Sequence, residues 1–535
     1  MRGADLLVKA LALAGVERIF TLSGNQIMPV FDACLDAGIE LIHTRHEAAA
    51  VFMADAYAQL TGLPGVCLVT AAPGAANAVG PLFSARHSES PVLLLTGDSP
   101  LSQDGSGAFQ ELDQVSVMTA VTKCSRRASD AERLGHDVAE AIRLATSGRP
   151  GPVHLALPFD LVQADVREES LPGRDAFWRT CQRLEAGDLL AVKDLLKAAS
   201  APLVLCGPAL NRTRSPVEPG LLSAALDAPV LALESPRGLN DPSLGGFKKA
   251  LLEADLVVCL GKSVNFTLGF GAQAHRADAS RWIMIDADPN EHQRARRNLG
   301  ADLTLSLTAD PRDAAVQLSE ASSNDTHRAA WREKVAGLVA ARSSPKLHSQ
   351  STGIVTPAVL SQAVQNQLDL ADDPVLICDG GEFGQWAQAG TSARQRIING
   401  ASGAIGGALA YAIAACKARP QSLVVAMMGD GTVGFHLAEF ETAVREQTPL
   451  VAVVGNDACW NAEHQIQLRD YGPERLIGCQ LSAARYDLVA AALGGHGEYV
   501  TKPEQLEAAL QRAIQSGLPA CVNVMMVGAP APAAP

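Results

Sequence analysis

Short apolar runs alternate along the chain with longer stretches in which apolar residues recur every three or four positions. Runs such as GVCLVTA, PVLLLTG and PVHLALP, and further on APVLALESP and SLVVAMMGD, have turn residues close by. They have the character of parallel strands buried on both faces, and the stretches between them have the period of helices. Strands alternating with helices predict α/β layers. Three blocks follow. Residues 1–167 form the first, and the charged stretch REESLPGRD reads as a linker. Residues 185–325, with APLVLCGPAL, ADLVVCLG and RWIMIDADP, have the pattern of a small Rossmann-like domain that ends near SEASSNDTH. Residues 355–527 open on DPVLICDGGEFGQW and repeat the rhythm of the first block, and the tail over 528–535, GAPAPAAP, is expected to be disordered. The predicted fold class is therefore α/β, with three doubly wound parallel-sheet domains.

No apolar run reaches the roughly 18 residues of a membrane span. The opening stretch MRGADLLVKALALAGVERIF reads as an amphipathic helix with internal charges rather than a signal peptide. A cytoplasmic protein without a membrane partner is expected. The formal net charge of −13, with no basic run, argues against nucleic acid as a partner. The 11 cysteines form no CxxC pair and lie in apolar contexts, as small buried hydrophobes do. CLGKSV imitates the end of a phosphate-binding loop, but that motif needs a glycine five residues before Gly261, and position 256 is Leu.

The stretch MMGDGTVGF places Asp430 between Gly429 and Gly431 at the end of an apolar run, ahead of a helical pattern that extends through REQTP. A tight turn that happens to contain Asp is one reading. A metal or phosphate site is the other, since such a turn aims backbone N–H groups and a carboxylate at one small volume. Asp457 follows 27 positions later, after LVAVVG, so a strand–helix–strand unit sets two strand ends side by side. Ligands of open α/β sheets bind at such ends. Asp430, Asp457 and a nearby backbone carbonyl, at Cys459, are hard oxygen ligands that suit Mg²⁺ bridging to a diphosphate.

GDG, a helix and then an Asn-bearing strand end resemble the diphosphate-binding motif of thiamine diphosphate (ThDP) enzymes. TRHEAAAVFMADAYAQLTG, TAAPGAANAV, GSGAFQELDQ and GASGAIGGALAYAIAA resemble, in the same order, segments of the acetolactate synthase, benzaldehyde lyase and 2-hydroxyacyl-CoA lyase group. The resemblance implies pyrimidine-binding, central and diphosphate-binding domains for the three blocks. It implies Glu47 as the catalytic glutamate that hydrogen-bonds the cofactor's pyrimidine. The apolar AAAVFMA after Glu47 suits a carboxyl that exchanges a proton, although a plain helix-start role beside His46 is the alternative. By the same resemblance Pro73 and Asn77 line the pyrimidine site and Ile405 props the cofactor. Gly429, Gly431 and Thr432 present backbone to the diphosphate, and Glu382 and Phe383 lie near it. Gln26 and Gln110 are the candidate substrate contacts. His436 reads as structural, and His464 as an open candidate.

Two departures stand out. The family's Asn-Asn is here Asn456-Asp457, which adds a negative charge beside a diphosphate. GKSVNFTLGFG puts Thr267 where acetolactate synthases carry an arginine for a second 2-oxo acid, and resembles instead a segment of oxalyl-CoA decarboxylases and 2-hydroxyacyl-CoA lyases. This puts the FAD of acetolactate synthases in doubt. The implied activity makes or breaks a C–C bond beside a carbonyl, by decarboxylation, lyase or carboligase chemistry. The implied substrate is a 2-oxo acid, aldehyde or hydroxy ketone. The resemblance further implies a homodimer or tetramer with active sites across subunits. A non-catalytic ThDP-fold binding protein and a flavin- or nicotinamide-linked oxidoreductase are the rivals from other classes.

Overall fold

A computed structural model describes residues 1–320, 327–342 and 353–532 of the chain. The expected end of the middle block at 321–325 and the last three residues of the tail lie outside the described residues. The first sheet is built from β1 (Arg18–Thr21), β2 (Glu40–His43), β3 (Gly65–Val69), β4 (Val92–Asp98), β5 (Cys124–Arg127) and β6 (Val153–Pro158). The central sheet has β7 (Pro202–Cys206), β8 (Val230–Ala232), β9 (Leu256–Leu260), β10 (Arg281–Asp286) and β11 (Leu303–Thr308). The third has β12 (Val375–Cys378), β13 (Gln395–Ile398), β14 (Val424–Gly429), β15 (Leu450–Asn456), β16 (His496–Val500) and β17 (Ala520–Met525).

Every pairing among these strands is parallel. The orders are β2-β1-β3-β4-β6-β5, β11-β10-β9-β7-β8 and β13-β12-β14-β15-β17-β16. Each order reverses direction within the sheet, which is the doubly wound pattern, and helices fill the crossovers. Most strands foreseen from apolar runs are interior ones, and β4 and β6 are buried at every position; β8, foreseen from APVLALESP, is instead a half-buried edge strand. The edge strands β2, β5, β11 and β16 are only partly buried and carry polar residues, so their sequences give no such run. The opening stretch divides into a helix, Gly3–Leu13, and β1.

Two compact units result. One comprises Met1–Thr180, Ala410–Pro420 and Ala438–Glu446; the other comprises Cys181–Leu409, Gln421–Leu437 and Gln447–Pro535. In the first, the Tyr411 hydroxyl donates to Asp55 Oδ2 at 3.1 Å and the Arg45 backbone N–H donates to Glu439 at 3.0 Å. The second holds the central and third sheets, joined by an ion pair of Arg396 with Glu234 at 2.9 Å. All cysteines are free thiols and most are buried. Among the described residues no helix is long and apolar enough to cross a membrane.

Two sequence expectations change. The stretch after Gly431 is not one helix: a single turn, Asp430–Val433, is separated from the helix Glu439–Arg445. The tail expected to be disordered is held over 529–531. Asn461 Nδ2 donates to Ala529 O at 3.0 Å, Trp386 Nε1 donates to Pro530 O at 3.0 Å, and the Ala531 N–H donates to Glu382 Oε1 at 3.3 Å. Its low complexity hid this, because the partners are side chains elsewhere and the tail supplies only backbone.

Candidate active site

Each unit gathers its own set of polar groups. In the first, Glu47 opens the helix Glu47–Thr61, which ends on Gly62 in the left-handed conformation. His46 is the N-cap, its ring nitrogen accepting the Ala48 N–H at 3.0 Å. The side-chain cap is thus supplied by His46, while Glu47 sits in the first turn, as its helix-start alternative also requires. The Glu47 side chain is 13% exposed, and its Oε2 accepts from Asn77 Nδ2 at 3.0 Å. Asn77 closes the short helix Pro73–Asn77, with Pro73 at its first position. Gly74 is required here, since a Cβ would stand 2.9 Å from Thr70 Cγ2 and 3.4 Å from Glu47 Oε1. Gln26 is buried, and its Nε2 donates to Gln110 Oε1 at 2.7 Å. Gln110 has φ of 59°, a left-handed backbone that a non-glycine adopts at some cost.

The second unit contains a cavity of about 280 Å³. It is lined by residues from the carboxyl ends of β12, β14 and β15 and by Ile405, together with Pro236 and Arg237 from the central sheet's connections. β14 and β15 pair with Gly429 opposite Gly455, so Asp430 and Asp457 each sit just past a strand end, side by side. Burial pushes the Asp430 carboxyl up, against the backbone N–H groups of Gly431 and Cys459 that donate to it. Asp457 is pushed up by burial and by the Asp430 charge beside it. Asp430 Oδ2 is buried and meets no donor. A buried and a half-buried carboxyl with an unpartnered oxygen are relieved by a cation, and hard oxygens suit Mg²⁺. Burial pushes the Cys459 thiol up to about 11, so Cys459 bears on a hard cation only through its backbone carbonyl.

The glycines around Asp430 differ in what they permit. A Cβ at Gly429 would meet only Thr432 Oγ1 at 4.0 Å, so the backbone there is open to a ligand. A Cβ at Gly431 would lie 2.6 Å from the Trp460 ring, and Phe435 meets that ring edge-on at 6.3 Å. Phe435 in turn packs on Gly406, next to Ile405. An open backbone turn, two carboxyls and an apolar wall ending at Ile405 fit a diphosphate with its metal and an aromatic cofactor beyond it. Glu382 is pushed up by burial and accepts from Gln385 Nε2 at 2.5 Å. Phe383 lines the cavity but belongs mainly to the core, its ring against Gly455.

The structure thus brings Glu47, Pro73, Asn77, Gln26 and Gln110 together in one unit. It brings Glu382, Phe383, Ile405, Gly429, Asp430, Gly431, Thr432, Asp457 and Cys459 together in the other. His464 lies on the helix Asn461–Asp470, directly after Asn461–Glu463 of the cavity lining, and is not itself a lining residue. Asp379 was missed. It is buried just past β12 and accepts from the backbone N–H groups of Gly380 at 2.7 Å and Gly406 at 2.9 Å, which fixes the turn carrying Ile405. Its place after an apolar run, like that of Asp430, was the available signal.

Residues 1–117 match the family described as "Thiamine pyrophosphate enzyme, N-terminal TPP binding domain", and residues 379–524 match the corresponding C-terminal TPP binding domain. The chain is 33% identical over 540 residues to a probable acetolactate synthase of Mycobacterium bovis, spanning 98% of this chain and 96% of that protein. It is 28% identical over 578 residues to the 2-hydroxyacyl-CoA lyase 2 of Danio rerio, with 98% and 91% spanned. The lyase of the same name from Caenorhabditis elegans is 30% identical over 549 residues, with 93% and 84% spanned. Those matches run nearly end to end and take in both polar clusters, and on them the chain belongs to the thiamine pyrophosphate enzyme family.

Proposed function

We propose that the protein uses ThDP with Mg²⁺ to make or break a carbon–carbon bond beside the carbonyl of a 2-oxo acid, aldehyde or hydroxy ketone, in the manner of an acetolactate synthase. The observation behind this is the Asp430–Asp457 pair with its unpartnered oxygen at adjacent strand ends. Bound ThDP supplies a thiazolium that acts as nucleophile and electron sink. Asp430, Asp457 and the Cys459 carbonyl hold the metal. Gly429, Gly431 and Thr432 hold the diphosphate, and Ile405 sets the cofactor's bend. Glu47 moves a proton at its carboxyl, and Asn77 keeps that carboxyl in one orientation. Gln26 and Gln110 face the substrate. The working protein is a cytoplasmic homo-oligomer whose active sites combine the two clusters across subunits.

A second reading is favoured by Thr267. It is buried, and its hydroxyl donates to Asn265 Oδ1 at 2.6 Å, so this turn offers no cation to a second carboxylate. That favours a 2-hydroxyacyl-CoA lyase or an oxalyl-CoA decarboxylase type of reaction over acetolactate synthesis. A donor–acceptor screen with ThDP and Mg²⁺ tests both, using pyruvate, benzoin, cyclic diketones and oxalyl-CoA with products identified by mass. Acetolactate from pyruvate supports the first reading; cleavage of the CoA thioester substrate alone supports the second. Turnover that persists without ThDP overturns both.

A further inference from the structure

Thr70 stands just past β3, between the Glu47 branch of the first cluster and the glutamine branch. Its methyl packs at Gly74, against which Glu47 also lies. Its hydroxyl donates to Gln26 Oε1 at 2.7 Å, and Gln26 Nε2 donates to Gln110 Oε1 at 2.7 Å. This chain of hydrogen bonds has a direction. A threonine hydroxyl has one proton to give, and giving it to Gln26 Oε1 turns the Gln26 amide nitrogen toward Gln110. Gln110 then commits its carbonyl to Gln26. Its Nε2, with two N–H donors, has no partner among the described residues.

The surroundings hold the chain in this register. A Cβ at Gly24 would stand 2.2 Å from Thr70 Cβ, so the loop carrying Gln26 lies directly on Thr70. A Cβ at Gly97 would stand 2.8 Å from Gln26 Cβ, which closes the opposite side. Ala72, two residues beyond Thr70, has φ 47° and ψ −93°, a strained backbone of the kind that persists where surrounding structure fixes it. Gln110 has positive φ as well. Glycine contacts on both sides and strain at the ends surround one short relay.

We propose that Thr70 is a positioning residue that, through Gln26, fixes Gln110 as a hydrogen-bond donor, so that Gln110 recognises an acceptor oxygen, a carbonyl or carboxylate, on the substrate. This rests on the reading of Gln110 as a substrate contact. Gln110 is half-buried, so a substrate oxygen competes there with water, and the gain from a fixed donor is of the size of one hydrogen bond.

The test compares Thr70→Val, Thr70→Ser and Gln110→Glu in the ThDP- and Mg²⁺-loaded full-length protein. Valine keeps the shape and removes the donor. The expected result is a loss of roughly tenfold in kcat/KM for the substrate found in the screen, with ThDP affinity and melting temperature unchanged. Serine restores activity to within about threefold, and Gln110→Glu, which presents acceptor oxygens, loses more than Thr70→Val. Wild-type kcat/KM in Thr70→Val, equal loss in both Thr70 variants, or loss of ThDP affinity together with activity each overturns the proposal. If the wild-type protein turns over none of the screened substrates, the reading of the site fails, and a crystal structure of Thr70→Val decides the relay by itself. Gln26 rotated out of hydrogen-bond range of Gln110 supports the relay, and an unchanged pair overturns it.

Discussion

The first and third sheets share one strand order and hold opposite kinds of polar group. In both, the second strand in sequence forms one edge and the last two strands are exchanged at the other. At its strand ends the first sheet carries one carboxyl and a set of amides: Glu47 meets Asn77, and Gln26 meets Gln110. The third carries two carboxyls side by side, one with an oxygen that no donor reaches. The scaffold places the groups, and the residue types after each strand decide what the place can do. On the function proposed above, the hydrogen-bonded set of one carboxyl and its amides would read acceptor oxygens and move a proton. On the same reading, the buried Asp430 and half-buried Asp457 would bind a cation and, through it, an anion.

This contrast assigns different failures to the two halves. The largest effect is expected at Glu47. Glu47→Gln lowers kcat by about 10²–10⁴-fold while ThDP binding, followed by calorimetric titration, stays near wild type. Loss of binding instead would move Glu47 from proton transfer to cofactor anchoring. Asp430→Ala reverses the pattern, with Mg²⁺-dependent ThDP binding falling below detection in the same titration. Activity that survives at saturating ThDP and Mg²⁺ would break the comparison. Gly431→Ala drives a methyl into the Trp460 ring and costs about 1–3 kcal/mol in apo-protein stability, read by denaturant unfolding.

The smallest effect is expected at Asp457. Asp457→Asn keeps an oxygen ligand and Mg²⁺-dependent ThDP binding, and it removes one member of a pair that burial disfavours as anions. The sign with pH follows from linkage. Carboxyls raised on folding contribute stability that is complete in acid and lost as pH rises through their folded values, which for this pair lie between mildly acid and neutral pH. Apo wild-type protein therefore loses melting temperature over that range. Asp457→Asn loses less, and ThDP with Mg²⁺ raises the melting temperature more at about pH 8 than at about pH 5. An equal shift at both ends would show that the two carboxyls do not carry the binding site.

How far the sequence revealed this depended on where a strand sits. β4, β6, β14 and β15 are almost wholly buried and mostly apolar, so their runs were legible, as were Asp430 and Asp457 directly behind two of them. β5 and β16 face solvent in part, and strands of mixed character give no periodic signal that separates them from loops. Asp379 went unread because its partners are backbone N–H groups, one of which lies 27 residues away. Thr70 went unread for a similar reason. A hydroxyl acquires meaning from the amide it faces, and Gln26 reaches it across 44 positions of sequence.

The docked tail bears on how this protein is handled at the bench. Gly528 lies beside Asp457, where a Cβ would stand 3.2 Å from its Oδ2, and the next three residues bind Asn461, Trp386 and Glu382. A purification tag fused at this end bears on the segment that lies beside Asp457. Weak cofactor retention in such a fusion describes the fusion. The native affinity is the one measured with the tag at the other end or cut away.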